Sequence, residues 1–464
     1  MVTKHARRAA KAAARHERGR EDARQSWFEP SEPHARPSGG PLALAAKTAE
    51  SGSTGQPEIS LEEWEDATDA PGSTVDFGGR VLDLRAFRDV GFVLETGGKT
   101  ISNCTIKGGL NIESPPPEDC CTMTHEHLRF VNVHFEGTGM TTRRRDGLRC
   151  ARVVFGDLFM TGLVTCICAD GVTFERCSFT GACDADVPGC QEAPRSGVVA
   201  GLFVSDSAVR VENCRFVDNR GPGLHVTNER PLGRDSPEGD DCRDTAVAIK
   251  DSRFAQNDYC GVLASKSAQV HVAGSQLDAN LLYGLEATEG GFVRAVDTRI
   301  RGNVLGGVAA GARGRVVLEG CRVADSGGWA LDVASQGSVT ATDVVCSGCK
   351  EGGVRAREGG LMRLTRSAVR QNGRTGLCAV DAGSKLVASD VEVHRQKGTC
   401  VVAEDGGVVA LKRCRVAGVG EGTQGVSASQ RGSTVHMLDV DMTRVALPGV
   451  VVVAGGKINV KASS

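Results

Sequence analysis

Aliphatic residues return every 23 residues through the second half of the chain. Each unit starts with a small anchor residue, with an apolar residue one position after it and another small or apolar residue two positions further on. The anchors are Gly261, Gly284, Gly307, Ala330, Gly353, Gly376 and Thr399, followed by Val262, Leu285, Val308, Leu331, Val354, Leu377 and Cys400. The residue between these two apolar positions does not recur from unit to unit. This alternation predicts strands whose flanking residues point inward and whose middle residue points outward.

A fixed period of this length predicts a stacked repeat, and the strand pattern makes it a parallel β-helix. Each unit is then one coil of about three short strands, and neighbouring coils pair strand to strand because one coil cannot bury its apolar face alone. Each coil would lengthen the stack by about 4.8 Å. After Gly376 the residues Leu386, Ala388, Val391 and Val393 fall about one position off the earlier register, a shift that a turn would absorb.

Two further positions of the coil are restricted in residue type. Nineteen residues after the anchor stand Asn280, Asn303, Ser326 and Asn372, and Asn219 and Asn257 hold similar places. Asn tolerates the left-handed backbone conformation and bonds nearby backbone groups, so a ladder of stacked amides at a bend is predicted. Another slot accepts Cys, Ser or Thr, as seen at Cys104, Cys177, Cys214, Ser252, Ser275, Thr298, Cys321, Ser367 and Cys414. That slot therefore requires a small side chain rather than sulfur.

The 18 cysteines are interpreted mainly as free thiols packed as small apolar groups. Many unpaired cysteines favour a reducing compartment, so an intracellular location is expected, cytoplasmic or alternatively plastid. Zinc or disulfide bonds are the alternative for the close pairs Cys120–Cys121, Cys166/Cys168, Cys183/Cys190 and Cys346/Cys349. No second pair lies at the spacing of a zinc ribbon, so neither a metal site nor a cofactor site is predicted.

The composition excludes several classes of function. The net charge of -2 over 464 residues argues against a dominant nucleic-acid-binding surface. No run of 18 apolar residues occurs, and no transmembrane segment is expected. High glycine and few aromatic residues are typical of many tight turns around a thin core.

The chain divides into three predicted regions. Residues 1–56 form a basic arm and linker that is predicted to be disordered; targeting to a plastid and contact with an anionic surface remain alternatives. Residues 57–73 hold a short helix in which Ser60 and Glu63 form a capping-box pattern, with Leu61 and Trp64 on one face. We expect this helix to cover the first coil. The β-helix then spans 74–464, with irregular, insert-rich coils at 74–245 and regular coils at 246–464.

The repeats, such as Gly201–Asn219, resemble those of the right-handed parallel β-helix family, the pectin-lyase-like superfamily. The resemblance covers roughly Thr74 to Val460 and implies a right-handed coil. The superfamily contains polysaccharide lyases, hydrolases and epimerases, phage tailspikes and non-catalytic intracellular repeats, so the fold alone does not define a function. The Gly-His-Gly and Arg-Ile-Lys motifs of polygalacturonases and the Asp-Pro-His-Asp motif of alginate epimerases are missing here. Asp240–Asp241 is the one Asp-Asp pair, and it lies in a charged insert.

The sharpest candidate site combines His225 and Glu286 with Asp184 and Asp240. The outward column offers His225, Glu286, Asp332 and Arg355. His225 and Glu286 are two coils apart, which gives about 10 Å, and Asp184 and Asp240 lie in inserts beside them. The competing interpretation is a solvated strand face that carries arbitrary residues. Trp329 lies at a turn, where packing against the core is expected.

Two functions therefore stay open. The first is a non-catalytic scaffold that binds a protein or polysaccharide partner along an elongated surface, in an oligomeric state that the sequence does not define. The second is a divergent lyase, epimerase or hydrolase with a site in the insert-rich half. Two or more carboxylates meeting Arg or Lys in one groove would favour the enzyme, and dispersed charges would favour the scaffold.

Overall fold

A computed structural model describes most of the chain beyond residue 56. The described residues are 57–69, 72–84, 92–95, 99–107, 110–113, 128–136, 140–143, 148–151, 154–156, 164–167, 171–180, 200–228, 245–418, 424–443, 445 and 449–462. The predicted basic arm and linker at 1–56 lie outside these residues.

The described strands form two parallel sheets that wind around one core. Sheet A has 28 strands: Thr74–Asp83, Thr100–Lys107, Leu128–Glu136, Leu148–Ala151, Val154–Gly156, Val172–Glu175, Ser178–Thr180, Ala208–Glu212, Arg215–Val217, Ala246–Lys250, Arg253–Ala255, Gln269–Ala273, Gln276–Asp278, Phe292–Val296, Arg299–Arg301, Arg315–Glu319, Arg322–Ala324, Ser338–Thr342, Val345–Ser347, Leu361–Thr365, Ala368–Arg370, Lys385–Ser389, Glu392–His394, Val408–Lys412, Arg415–Ala417, Thr434–Leu438, Asp441–Thr443 and Lys457–Lys461. Sheet B has 15 strands: Phe92–Glu95, Leu110–Glu113, Met140–Arg143, Val164–Ile167, Leu202–Ser205, Leu224–Thr227, Val262–Ala264, Tyr283–Ala287, Gly306–Ala310, Trp329–Val333, Gly352–Ala356, Thr375–Val380, Val401–Glu404, Val426–Ser429 and Val450–Val453. The predicted all-β, right-handed parallel β-helix is confirmed.

Each regular coil contributes one strand to sheet B and two to sheet A. In one coil the sheet B strand Tyr283–Ala287 is followed by Phe292–Val296 and Arg299–Arg301. The chain bends between the two sheet A strands at Asp297, whose φ is 47°, and the next coil bends at Gly320 with φ 62°. Asp and Gly adopt this left-handed region more readily than most residues, so the bend fits the local sequence.

The core is a set of in-register columns. Val262, Leu285, Val308 and Leu331 pair directly from coil to coil, and all four are fully buried. On the sheet A side Phe179, Phe216 and Phe254 stack with ring centroids 4.4 and 4.5 Å apart and nearly parallel planes. The constant interval in the sequence is therefore the length of one turn of the solenoid, because a one-residue slip would turn each inward side chain outward.

The amide ladder predicted at the bend is present, but the left-handed backbone conformation expected of the Asn residues belongs instead to the residue before each, such as Asp218, Gln256 and Ala279. The side-chain nitrogens of Asn219, Asn257 and Asn280 each donate to the side-chain oxygen of the next Asn, at 2.8, 2.8 and 2.9 Å. All members are buried. In the Cys/Ser slot, Ser252 Oγ donates to the carbonyl oxygen of Lys250 in its own coil. It also accepts a hydrogen bond from the amide of Cys214 in the preceding coil, at 3.1 Å. A small polar or weakly polar atom satisfies this position, which explains why Cys and Ser interchange there.

The register shift after Gly376 lies at the turn that follows the longer strand Thr375–Val380. Leu377 pairs with Val401 and Ala379 with Ala403, so the intervals there are 24 residues. The sequence-based assignment of Thr399 as an anchor is therefore wrong by one residue: Cys400 takes that place and Val402 points outward. One added residue in a turn moves every later position, and the anchor pattern was continued without it.

The predicted N-terminal helix spans Leu61–Asp69. Ser60 Oγ accepts the amide of Glu63 at 3.1 Å, which confirms the capping interaction. Trp64 is fully buried and stacks on Phe77 of the first coil with centroids 5.0 Å apart. Glu63 also pairs with Arg80. Within the described residues no helix has the length and apolarity that a membrane crossing requires.

Candidate functional site

The outward column of sheet B is largely buried. Its members pair from coil to coil in the order Phe203, His225, Leu263, Glu286, Ala309, Asp332, Arg355, Cys378 and Val402. Six of them are less than a tenth exposed: Phe203, His225, Leu263, Ala309, Asp332 and Cys378. The expectation of a solvated face is therefore wrong along this column. The strand period shows on which side of a sheet a residue lies, but it carries no information on what packs over that side.

The structure places the predicted pair in this column without bringing its members together. Leu263 lies between His225 and Glu286. His225 Nε2 is 3.0 Å from Ser265 Oγ, and its ring meets Phe203 edge-on at 5.2 Å. Glu286 instead lies 2.8 Å from the thiol of Cys260. Asp184 and Asp240 lie outside the described residues, so a site that combines all four stays a prediction.

A paired charge cluster lies further along the same column. Arg355 donates to Asp332 through two nitrogens, Nε to Oδ1 at 3.0 Å and Nη2 to Oδ2 at 2.8 Å. Arg357 approaches the same carboxylate, with Nε 3.4 Å from Oδ1. The side chain of Asp332 is only 4% exposed, because the two guanidinium groups cover it. A carboxylate buried in this way is stabilised by the pairing that shields it.

Two aromatic side chains border these charges. The guanidinium of Arg355 lies 5.0 Å from the ring centre of Trp329. A Cβ on Gly352 would come 2.3 Å from the Trp329 ring, so the ring lies flat over the backbone of the next coil. The expected core-side packing of Trp329 is therefore wrong, because the ring packs on the outer face. Tyr283 lies over Gly306 in the same manner.

We call the set of these side chains the outer cluster: Cys260, Tyr283, Glu286, Trp329, Asp332, Arg355 and Arg357. Burial, with the nearby carboxylates of Asp332 and Glu286, raises the pKa of Tyr283. Burial and the Glu286 carboxylate raise the pKa of the Cys260 thiol. Burial likewise raises the pKa of Glu286 itself. The phenol and thiol are therefore held protonated, and Glu286 retains its proton more readily than an exposed glutamate.

These directions limit the chemistry that the cluster can perform. A tyrosine or cysteine that acts as base or nucleophile needs a lowered pKa, and here both are raised. Burial favours the protonated form of Glu286, whereas the Asp332 carboxylate is paired with two arginines. Among the described residues, no group of three or more His, Cys, Asp or Glu side chains is arranged to hold a metal ion.

The sequence contained one signal for this cluster. Asp332 and Arg355 are 23 residues apart, which is one coil, so opposite charges at that offset on the outward column meet directly. Both residues were recognised as column members without this consequence. The contact of Cys260 with Glu286 had no comparable signal, because Cys260 precedes the anchor and lies on a turn.

The family assignment agrees with the fold. A family model described as "Right handed beta helix region" matches residues 82–300 and 283–439. The chain therefore belongs to the right-handed β-helix family. A search of the curated proteins finds no match to it.

Solved structures with a similar backbone fold include epimerases and an adhesin. The A-module of the mannuronan C-5 epimerase AlgE6 from Azotobacter vinelandii is 12% identical, with 79% of this chain and 91% of that chain covered and a TM-score of 0.36. The periplasmic alginate epimerase AlgG is 11% identical, with coverages of 87% and 88% and a TM-score of 0.39. PfbA, a surface adhesin of Streptococcus pneumoniae, is 11% identical, with coverages of 78% and 89% and a TM-score of 0.34. At these identities and TM-scores the likeness carries no argument about what this chain binds or does.

Proposed function

We propose that this chain is a non-catalytic β-helix scaffold that holds a protein or polysaccharide partner on the side of sheet B. The observation that carries the proposal is the internal pairing of the outer cluster. Asp332 is bonded by Arg355 and Arg357, and Glu286 is bonded by Cys260. The protein's own side chains thus fix both carboxylates within the surface.

A fixed cluster of this composition suits recognition. Trp, Tyr and Arg contribute disproportionately to binding energy at protein interfaces. Tyr283 and Arg355 are partly exposed and are held by packing and, for Arg355, by an ion pair, so little side-chain entropy remains to be lost on binding. The regular stack of coils keeps such groups at constant spacing along the molecule.

Cross-linking tests the proposed face. The chain would be treated with a lysine-directed cross-linker in an extract of its native source, and the cross-linked lysines mapped. We expect partner cross-links at the borders of sheet B, at Lys266, Lys350 and Lys397, and few on the outer face of sheet A, at Lys250, Lys385 and Lys412. Cross-links spread over both sets in proportion to exposure would contradict a partner-binding face at sheet B.

An enzymatic function is the second candidate because the outer column holds two carboxylates, of which Asp332 meets two arginines and Glu286 meets the Cys260 thiol. Glu286 and Asp332 are two coils apart with Ala309 between them, which corresponds to about 10 Å. That separation lies near the upper end for an inverting pair of carboxylates, about 6.5–9.5 Å. The chain and its Glu286→Gln variant would be incubated with a panel of neutral and acidic polysaccharides, and new chain ends counted. The scaffold proposal predicts no turnover by either protein; turnover by the wild type that Glu286→Gln abolishes would establish the enzyme.

We also propose that the chain works in a reducing compartment. Supporting this, the eleven cysteines described in the structure are buried and take part in no disulfide bond: Cys104, Cys166, Cys177, Cys214, Cys260, Cys321, Cys346, Cys349, Cys378, Cys400 and Cys414. Burial raises the pKa of Cys378 to about 12 and that of Cys349 to about 11, so these thiols react slowly while the protein is folded.

A thiol count provides the measurement. In protein isolated from its source without reductant, few thiols should react with a thiol reagent while the chain is folded, and all 18 should react after unfolding. The control is the same sample unfolded with reductant, which must reach the same total. A lower count in the sample without reductant would reveal disulfide bonds and argue for an oxidising compartment.

A further inference from the structure

An apolar patch lies on the corner that leads into sheet B, beside the outer cluster. It consists of Tyr259, Leu281, Leu282, Val304 and Leu305, and we call these residues the corner patch. Tyr259 is 36% exposed and Leu305 42% exposed, and the other three are partly exposed. Large apolar side chains with this exposure are otherwise found, among the described residues, only on the strands Val450–Val453 and Lys457–Lys461.

The fold does not require apolar residues at these positions. Leu281–Leu282 and Val304–Leu305 occupy the same two places in successive coils, 23 residues apart. In the coils that follow, the same places hold Gly327–Gly328, Lys350–Glu351 and Gly373–Arg374. The coil before them has Asp258 in place of Leu281. Since polar residues and glycine serve the turn equally well, the leucines and valine need a reason other than folding.

The patch ends in a notch. A Cβ on Gly327 would come 2.1 Å from the carbonyl oxygen of Val304, and one on Gly328 would come 1.9 Å from that of Leu305. No side chain fits at either glycine, so bare backbone follows the protruding Leu305. The exposed Lys350 and Arg374 lie beyond the notch, together with Glu351. Along the axis of the solenoid, the surface thus presents first the corner patch, then the notch and then a net positive charge.

We propose that the corner patch binds an amphipathic helix of a protein partner, aligned with the solenoid axis. The inference deepens the proposed scaffold function and rests on it, because it names the class of partner. Coils are about 4.8 Å apart, and one helical turn rises about 5.4 Å. Apolar side chains at positions i, i+3 or i+4, and i+7 of a helix would therefore contact Tyr259, Leu282 and Leu305 in turn. The helix would then continue over the notch. Acidic residues on the following turn would face Lys350 and Arg374.

Other occupants fit the patch less well. A stable dimer takes about 800 Å² from each partner, whereas the corner patch consists of five side chains within three coils. Polysaccharides are held largely by flat aromatic faces and polar groups, whereas four of the five side chains here are branched aliphatic groups.

Selection from a displayed library of helical peptides tests the inference. The full chain would be the target, and enriched peptides would be measured by fluorescence anisotropy against wild type, Leu305→Glu and Leu361→Glu. Leu361 is the matched control because it is a partly exposed leucine on the outer face of sheet A. We expect enriched sequences to carry the i, i+3/i+4, i+7 apolar pattern. We further expect affinity to fall at least tenfold with Leu305→Glu and to stay unchanged with Leu361→Glu, while both variants melt with the wild type.

Three results would overturn the proposal. They are enrichment of no helical pattern over the starting library, equal binding to both variants, and a dimer in solution that Leu305→Glu dissociates. Polysaccharide turnover in the degradation assay would instead refute the scaffold function and leave the peptide result to be judged by itself. Partner cross-links at sheet B without helix selection would retain the scaffold and reject the helix.

Discussion

Replacing Phe216 by alanine should lower the free energy of unfolding by about 4 kcal/mol, since truncation of a buried phenylalanine typically costs 3–5 kcal/mol. Phe216 is fully buried and lies between the parallel rings of Phe179 and Phe254. Its removal deletes two ring contacts at once and leaves a cavity that neighbouring coils cannot close, because their backbones are fixed by the strand ladders. Urea unfolding followed by circular dichroism measures the change.

Phe292→Ala is the matched control. Phe292 lies on the outer face of sheet A, partly exposed, with the guanidinium of Arg315 at 5.8 Å from its ring centre. Its truncation opens no internal cavity, so the loss should stay below about 1 kcal/mol. Equal losses from the two variants would show that the phenylalanine stack does not stabilise the core as inferred.

The same variant tests whether the solenoid behaves as a chain of nearest neighbours. Coils contact only adjacent coils, so destabilisation at Phe216 should fade with distance along the axis. Hydrogen exchange should accelerate in Ser178–Thr180, Arg215–Val217 and Arg253–Ala255 and stay slow in Arg415–Ala417. Uniform acceleration along the whole chain would instead indicate a single cooperative unit.

The fold was predictable because the residues that form its core recur at a constant interval in the sequence. The constant spacing implies that four apolar residues point into the same core, and the structure pairs them from coil to coil: Val262, Leu285, Val308 and Leu331. The amide ladder followed from the residue type at one bend. The position of Thr399 was not predictable by continuing the period, because one extra residue in a turn changes the register of everything after it.

The site was predictable only as a set of positions. Periodicity placed Glu286, Asp332 and Arg355 on one outward column, but it could not reveal that the column is buried. Burial depends on side chains from adjacent columns, such as Arg357 over Asp332 and Trp329 beneath Arg355. Pairing across columns has no fixed sequence offset, so the partner of Glu286 at Cys260 emerged only from the structure.

Replacing Asp332 by asparagine should cost about 3 kcal/mol of stability, at the lower end of what removing one member of a buried ion pair costs. The lower end applies because the side chains of Arg355 and Arg357 remain 26% and 19% exposed and so retain some hydration. Asparagine keeps the shape but removes the charge and turns an amide nitrogen toward a guanidinium. Urea unfolding again provides the measurement, and the loss should persist in high salt because the pair is shielded from solvent.

Asp343→Asn separates this effect from the general loss of an ion pair. Arg366 bonds Asp343 with nearly the same geometry, at 3.0 and 2.8 Å, but the two side chains are 59% and 54% exposed. Exposed pairs contribute little, and asparagine suits the positive φ of 56° at this position, so the unfolding midpoint should not move measurably. If Asp332→Asn were equally silent, the outer cluster would be free to rearrange, and its carboxylate would be open to a substrate. A large loss at Asp332 alone would instead mark the cluster as a fixed part of the surface, as a scaffold requires.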